Sequence, residues 1–309
     1  MKSSAYLDYV ENLEQYGTIF TDKLMRELTS FKTGGPADII IYPDGIESVT
    51  KIVSYCSAND IPYIVLGGCT NLVVSDRGIR SVVIKISNDG ICDGEIRVLD
   101  SGDIYADAGI YKKDFISFAV NLGKSGVQFM AGIPGCIGGG IIMNAGTFMG
   151  TFSDILVGVR YIDRIGSIKE IAIDRQMGNY RQLLLPADLS VVIGGIFRLP
   201  AASDREAVQR EIDEIIADRK VKHPWEYPSA GSVFKNPENN FSWKLVNDAG
   251  LKGFTIGGAQ VSQKHTNFII NADNATSQDV CDVIAHVQKT VKAQFGIELH
   301  PEVRLIGDF

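Results

Sequence analysis

The sequence predicts a mixed α+β protein divided into two or three compact units, and three observations carry that prediction. At 309 residues the chain is longer than one ordinary hydrophobic core serves. Short apolar runs of strand length alternate with amphipathic stretches of helical period along its length. Glycine, at 32 residues, is the one excess in a composition that is otherwise 45% hydrophobic and 22% charged, and it clusters in two loop-like segments.

Taken in order, residues 1–30 read as a short acidic helical lead. Ala37–Tyr42 is a strand, and Gly45–Asn59 a helix with Ile46, Val49, Ile52, Val53 and Cys56 on one face. The apolar run Tyr63–Leu66 stops at Gly67-Gly68, and the strand Ser81–Ile86 closes a small βαβ-like unit. From about Gly90 to Leu199 the pattern turns strand-rich: Glu95–Leu99, Ile104–Ala108, Ile155–Asp163, Ile168–Ile173 and Val191–Leu199, interrupted by the helix Lys112–Leu122. Asp204–Lys222 is a charged amphipathic helix with Val208, Ile212, Ile215 and Ile216 inward. The last unit carries a helix capped by Thr276 or Ser277, buried along Val280, Val283, Ile284, Val287 and Val291, and stopped by Gly296. A strand, Glu302–Ile306, follows. The expected division is 1–89, 90–202 and 203–309, with no internal repeat or low-complexity tract.

Charge and cysteine usage narrow the function classes. A net charge of -7 and a pI near 5.2 argue against a nucleic-acid partner or an anionic membrane surface. Any anionic ligand must then be held by local dipoles and a few placed cations. No apolar run approaches a membrane span. Asp8, Glu11 and Glu14 stand where an export signal needs an apolar core, so the expectation is a cytoplasmic chain without membrane insertion. Cys56, Cys69, Cys92, Cys136 and Cys281 are widely spaced and form no C-x-x-C pair; reduced thiols and no metal site are expected.

The most informative stretch is Ala131-Gly-Ile-Pro-Gly-Cys-Ile-Gly-Gly-Gly-Ile-Ile-Met-Asn-Ala-Gly146. It is apolar, unlike a flexible Gly/Ser linker. So many glycines lose a great deal of backbone freedom on folding, which is offset where the chain needs positive φ or approaches something closely. A tight turn in a β-rich core and a cradle for a phosphate-bearing cofactor both satisfy that condition. A second loop, Leu66-Gly-Gly-Cys-Thr-Asn-Leu-Val-Val-Ser-Asp76, follows a strand directly. Its backbone N–H groups, with Thr70 and Asn71, suit an anion nest for a pyrophosphate. Neither loop is G-x-G-x-x-G opening a helix or contains G-K-[ST], so Rossmann and P-loop readings are weak. Two such loops facing each other favour a dinucleotide clamp.

Elsewhere the candidates are single residues with bland alternatives. Ser232, in Gly231-Ser-Val-Phe-Lys-Asn-Pro237, reads as a turn hydroxyl or a proton donor; G-x-S-x-G is absent, so a nucleophile is disfavoured. Arg181, in Tyr180-Arg181, is a surface charge or a carboxylate-polarising group. Glu302 is an edge-strand partner of Arg304 or a site residue. Lys264-His265 reads as a loop cation and a satisfied histidine.

The ordered set of these segments resembles the UDP-N-acetylenolpyruvoylglucosamine reductase family. The resemblance runs from Phe31-Lys-Thr-Gly-Gly35 to Leu305-Ile-Gly307. It includes Gly67-Gly-Cys-Thr-Asn71, Gly132-Ile-Pro-Gly-Cys-Ile-Gly-Gly139, Met143-Asn-Ala-Gly146, Tyr180-Arg181, Gly231 to Pro237, Lys264-His265 and Pro301-Glu-Val303. The chain is similar to the compact form, type II, that lacks a long tyrosine-bearing insertion.

That resemblance implies a two-subdomain FAD-binding fold of the vanillyl-alcohol oxidase type plus a C-terminal α+β substrate-binding domain. It implies NADPH as hydride donor, FAD as carrier and UDP-N-acetylglucosamine enolpyruvate as substrate, reduced to UDP-N-acetylmuramate for peptidoglycan. Gly67, Gly68, Cys69, Thr70 and Asn71 would hold the pyrophosphate, with Gly132, Pro134, Gly135, Gly138, Gly139, Asn144 and Gly146 lining the flavin side. The first histidine is His223, so no histidyl link to flavin is available in residues 1–222, and FAD binding is expected to be non-covalent. Arg181 and Glu302 would stabilise the enolate-like intermediate, Glu302 in protonated form because an ionised carboxylate repels an anion. Ser232 would deliver the proton to C2. Tyr180, Lys222, Lys235 and Asn236 fall to the nucleotide-sugar side.

Two departures stand out. Leu183 replaces the serine of the family's Tyr-Arg-x-Ser, which predicts a looser Arg181. Gly140 replaces a common alanine, which predicts only added backbone freedom. A flavin oxidase of the same fold and a non-catalytic nucleotide- or flavin-binding relative are the competing readings.

Overall fold

The computed structural model describes residues 4–87 and 94–309; Cys92 and the expected boundary at 89/90 lie outside the described residues. The chain forms two units, each discontinuous in sequence. The first takes residues up to Thr21, Ile39–Gly68 and Ser81–Ile216; the second takes Asp22–Asp38, Cys69–Arg80 and Ala217–Phe309.

In the first unit the expected helical lead is a helix only over Ser4–Leu13. Gly17–Leu24 is a strand with no buried position along it, held by its place beside 36–43 rather than by a local pattern. It joins a sheet in the order 17–24, 36–43, 79–85, 63–66. Tyr63–Leu66 runs parallel to the neighbouring strand, from Tyr63↔Val82 to Leu66↔Lys85. The crossover helix Ile46–Ala58 buries Val49, Ile52, Val53 and Cys56 against Leu13, Ile39, Ile41, Val82 and Ile84, as its spacing predicts.

A five-stranded antiparallel sheet follows, in the order 168–172, 156–163, 189–197, 104–107, 96–98. Helix Lys112–Asn121 supplies Phe115, Ile116, Ala119 and Val120 to its core. A second helix, Ile137–Ile142, lies inside the glycine-rich segment, where propensity alone disfavours a helix. Its glycines permit close packing. A Cβ on Gly138 would stand 2.8 Å from the Ala108 Cβ, and one on Gly140 only 2.3 Å from the Phe152 ring. The expectation that Gly140 merely adds backbone freedom is therefore corrected: the Phe152 side chain occupies the space an alanine methyl would need. Helix Arg205–Lys222 buries Val208 and Ile212, with Ile215 and Ile216 partly buried against the same core.

The second unit is built on an antiparallel sheet in the order 229–232, 268–271, 259–261, 255–256. Helix Ser277–Phe295 lays Val280, Val283, Ile284, Val287 and Val291 into its core with Val233, Val261 and Ile269. Thr276 is the cap: its hydroxyl accepts from the Asp279 N–H at 3.0 Å, and the Asp279 carboxylate accepts from the Thr276 N–H at 2.9 Å. Gly296 ends the helix with φ of +71°. The last strand is Arg304–Ile306, parallel to Leu72–Val74, so Glu302 precedes the strand it was expected to open. A short helix, Ser242–Asp248, has no counterpart among the expected elements. Among the described residues no helix is long and apolar enough to cross a membrane.

Gly140→Ala tests the packing argument. Helix propensity favours alanine by about 1 kcal/mol, whereas forcing a methyl into a filled core costs roughly 1–3 kcal/mol. Overlap with Phe152 should win, so chemical denaturation should show a less stable variant; a stabilised one would refute the account.

Candidate active site

The two glycine-rich loops meet in the first unit. The segment Ala108–Lys112 lies antiparallel to Gly135–Gly138: the Ile137 N–H donates to the Ile110 carbonyl at 2.8 Å, the Gly138 N–H to Ala108 at 2.9 Å, and the Lys112 N–H to Gly135 at 3.1 Å. Gly132 and Gly135 turn the chain with φ of +72° and +91°, a region other residues seldom adopt. Gly68 faces this turn. A Cβ there would come within 2.9 Å of the Gly135 Cα and 3.6 Å of the Cys136 nitrogen. Only a bare backbone allows the two loops this approach. A cradle walled by main chain, with glycine on both sides, fits the pyrophosphate of a dinucleotide and needs no cluster of surface cations. Gly139 faces open space, with no atom within 4 Å of a Cβ built on it.

Cys69, Thr70 and Asn71 continue the first loop into the second unit. Cys69 is buried with φ of +51°, and its carbonyl accepts from the Ser30 N–H at 3.2 Å. The Asn71 amide donates to the Glu302 carbonyl at 3.1 Å, and the Asn71 carbonyl accepts from Arg304 at 3.1 Å. A predicted cofactor residue is thus tied to the backbone of a predicted catalytic one.

Arg181 sits at the tip of a tight hairpin between Gly178–Asn179 and Gln182–Leu183, with φ of +58°. Its guanidinium donates to the Gly146 carbonyl at 3.1 Å and lies 5.0 Å from the centre of the exposed Tyr180 ring. Asn144 fixes the hairpin from below. Its Oδ1 accepts from the Ser153 N–H at 2.9 Å, and its Nδ2 donates to the Asn179 carbonyl at 3.0 Å. Those two bonds commit both ends of the Asn144 amide to the protein itself. Leu183 is 4% exposed and belongs to the apolar core. Leu183 packs inward, while Gly146 and Tyr180 engage the guanidinium.

In the second unit Ser232 and Glu302 come onto neighbouring chains. An irregularity in the register between Ser229↔Ile270 and Ser232↔Phe268 surrounds Gly231, whose φ is +77°, and re-aims the serine. Beyond it the Val233 carbonyl accepts from the Glu302 N–H at 2.7 Å, and the Lys235 N–H donates to the His300 carbonyl at 2.9 Å. Asn267, which the sequence did not single out, locks this junction: its side chain accepts from the Phe234 N–H at 3.0 Å and donates to the Phe234 carbonyl at 2.9 Å. Asn236 is exposed, and its Oδ1 accepts from the Ser242 N–H at 3.0 Å. Lys235 is half-buried; Lys222 is exposed and pairs with Asp218 at 2.8 Å.

Behind Ser232, Phe268 packs against His223 and His265, with ring centres 4.9 and 5.0 Å away. The histidines meet edge to face at 5.2 Å. Burial, then the neighbouring His265 and Arg219, push His223 down to about 4, and burial also lowers His265. The His265 Nδ1 accepts from the Asn267 N–H at 3.3 Å. Nothing in the spacing of His223 and His265 announces this cluster; it forms because a helix end and a strand turn converge on one phenylalanine.

A glycine-walled dinucleotide cradle carried by paired α+β layers is the mark of an FAD-binding oxidoreductase. Residues 37–172 match the family model described as FAD binding domain. Residues 223–306 match that of the UDP-N-acetylenolpyruvoylglucosamine reductase C-terminal domain. The reductase of that name from Clostridium beijerinckii is 40% identical over 303 residues, 98% of each chain. The one from Clostridium tetani is 39% identical over 306 residues, again 98% of each. The crystal structure of the Thermus caldophilus reductase superposes with a TM-score of 0.78 at 28% identity, covering 94% of this chain and 99% of the other. The chain belongs to the UDP-N-acetylenolpyruvoylglucosamine reductase family. The flavin-binding fold expected from the sequence is borne out, and FAD and NADPH are the family's cofactors.

The histidine cluster makes a pH prediction. A histidine held below its ordinary 6.5 in the folded state binds protons more readily when unfolded. Its contribution to stability is complete above 6.5, falls as pH drops from there toward about 4, and then levels off. His223→Phe should flatten the melting-temperature profile across that window. An unchanged slope would show that His223 titrates normally.

Proposed function

We propose that the family's reaction, reduction of UDP-N-acetylglucosamine enolpyruvate to UDP-N-acetylmuramate with NADPH, is carried here by Arg181, Ser232 and Glu302. The observation that supports it most is the backbone bond from the Glu302 N–H to the Val233 carbonyl, one residue along from the serine. In this reading residues 1–89 and 90–202 hold FAD non-covalently, and 203–309 covers the substrate in a cytoplasmic enzyme. FAD supplies the hydride that passes from NADPH to the substrate.

The protein's share is charge and proton management. Hydride addition at C3 of the enolpyruvyl group leaves negative charge at C2, delocalised into the carboxylate. Arg181 is suited to that carboxylate because its planar fork is already oriented by Gly146 and Tyr180, so less freedom is lost on contact. Glu302 completes the anion-stabilising side, and the Ser232 hydroxyl delivers the proton to C2. Tyr180, Lys222, Lys235 and Asn236 serve the nucleotide sugar. Gly67 to Asn71 and Gly132 to Gly139 hold the pyrophosphate and flavin, while Asn144 and Gly146 act on the cofactor side by fixing the Arg181 hairpin.

Anaerobic stopped-flow separates the half-reactions. Ser232→Ala should leave flavin reduction by NADPH near wild type and slow reoxidation by the enolpyruvyl sugar by roughly a hundred- to a thousand-fold. Equal slowing of both halves would remove Ser232 from proton delivery. Reduced wild-type flavin that the sugar never reoxidises would overturn the whole assignment.

A further inference from the structure

Lys112 is the first residue of helix Lys112–Asn121 and is only 4% exposed. Both facts oppose its charge. Burial removes water from the ammonium, and the N-terminal end of a helix carries partial positive charge of its own. Among the described residues the ammonium makes one hydrogen bond, donated to the Pro134 carbonyl at 2.6 Å. The neighbouring titratable group is the Cys136 thiol; on its own helix follow Asp114 and Lys113, whose ammonium lies 5.8 Å from the Tyr111 ring centre. No carboxylate is paired with Lys112 among the described residues. A buried cation placed against both burial and a helix dipole is stabilised by a nearby anion.

The backbone says where that anion binds. Lys112 holds two successive carbonyls of the glycine-rich turn: Pro134 through its ammonium and Gly135 through its own N–H at 3.1 Å. In a trans peptide the N–H points opposite to the carbonyl. Drawing the Pro134 and Gly135 carbonyls toward Lys112 therefore turns the Gly135 and Cys136 N–H groups the other way. The Cys136 nitrogen is the atom that a Cβ on Gly68 would approach to 3.6 Å. Successive N–H groups turned out of a positive-φ segment beside a bare glycine have the form of an anion nest.

We propose that Lys112 is the buried cation that sets this nest and balances the charge of the FAD pyrophosphate held in it. The proposal rests on the reading that the two glycine-rich loops bind FAD. It makes Lys112 a positioning residue acting through Pro134 and Gly135, and it gives an acidic chain a cation for an anionic cofactor without a basic surface.

Burial pushes Lys112 down to about 8, the Cys136 thiol acting in the opposite direction. An anion bound beside it favours the charged form and raises that value again. Above pH 8, FAD binding must then draw in a proton, and affinity must fall as pH rises.

The test uses protein reversibly stripped of FAD and titrated with FAD by flavin fluorescence and calorimetry. Wild type should lose up to about tenfold in affinity per pH unit above 8. Calorimetry at pH 8.5 in buffers of differing ionisation enthalpy should show proton uptake. Lys112→Met should bind roughly ten- to a hundred-fold more weakly at pH 7, the range expected for loss of a charged hydrogen bond. It should show neither the alkaline loss nor the uptake. Wild-type affinity and pH profile in this variant, or uptake that persists in it, overturn the proposal. Should Lys112→Met not fold, wild-type calorimetry decides alone: no uptake at pH 8.5 and a flat affinity from pH 7 to 9 refute it. Gly68→Val separates the underlying reading, since unchanged FAD binding there sinks the cradle, whereas loss of FAD there with Lys112→Met unaffected sinks only the role of Lys112.

Discussion

The short antiparallel pairing of Ala108–Lys112 with Gly135–Gly138 is the constraint on which the cofactor side depends. Three backbone bonds fix the glycine-rich turn against the start of a helix and the end of a sheet strand. Without them the positive-φ glycines at 132 and 135 would be free to sample many conformations, and an anion would have to order them on binding. With them the ordering is complete before any ligand arrives. The same pairing sets helix Ile137–Ile142 so closely on the sheet that Gly138 and Gly140 have no room for a methyl.

A comparable junction organises the second unit. Glu302 is bonded through its N–H to Val233 and through its carbonyl to the Asn71 side chain. Three stretches far apart in sequence (71, 233 and 302) are therefore held by one residue's main chain. Asn267 adds two bonds to Phe234 from a fourth stretch. The site residues of this unit are placed mostly by backbone geometry, which side-chain substitutions elsewhere perturb little. Loops carrying function on such a rigid frame can tolerate variation around it.

Much of the fold was legible because its elements obey simple periodicities. The helix Ser277–Phe295 has its cap, its buried stripe and its glycine stop where the sequence places them. Ile46–Ala58 and the strands of the five-stranded sheet follow the same rule, with ends within a few residues. What stayed hidden obeys long-range rules instead. Helix Ile137–Ile142 runs against the propensity of Gly138-Gly-Gly140, whose glycines are required by the close approach of Ala108 and the Phe152 ring. Strand Gly17–Leu24 is short, half-exposed and amphipathic, so nothing local distinguishes it from the acidic helix before it. At the site, the glycine loops were legible as loops, and they approach each other at Gly68 and Gly135 within one unit rather than from two adjacent ones. Lys112 was not, because a lysine at a helix start reads as a surface charge until its burial is known.

Leu183 shows how a departure from a family pattern can be absorbed. A hydroxyl at this position would have to be buried in the core with Val159 and Phe152, where an unpaired hydroxyl is costly. Leucine removes that cost and adds apolar burial, but it removes any hydroxyl contact to the arginine two residues earlier. The compensation lies in the turn: Arg181 holds a positive φ at the hairpin tip, which aims its side chain away from the core and onto the Gly146 carbonyl. Asn144 then joins the Gly146 segment to the hairpin base through Asn179. Orientation of the guanidinium here rests on a backbone carbonyl and, through the hairpin base, a buried amide. A backbone acceptor cannot be lost to a point mutation, so this arrangement ties Arg181 to the glycine-rich segment itself.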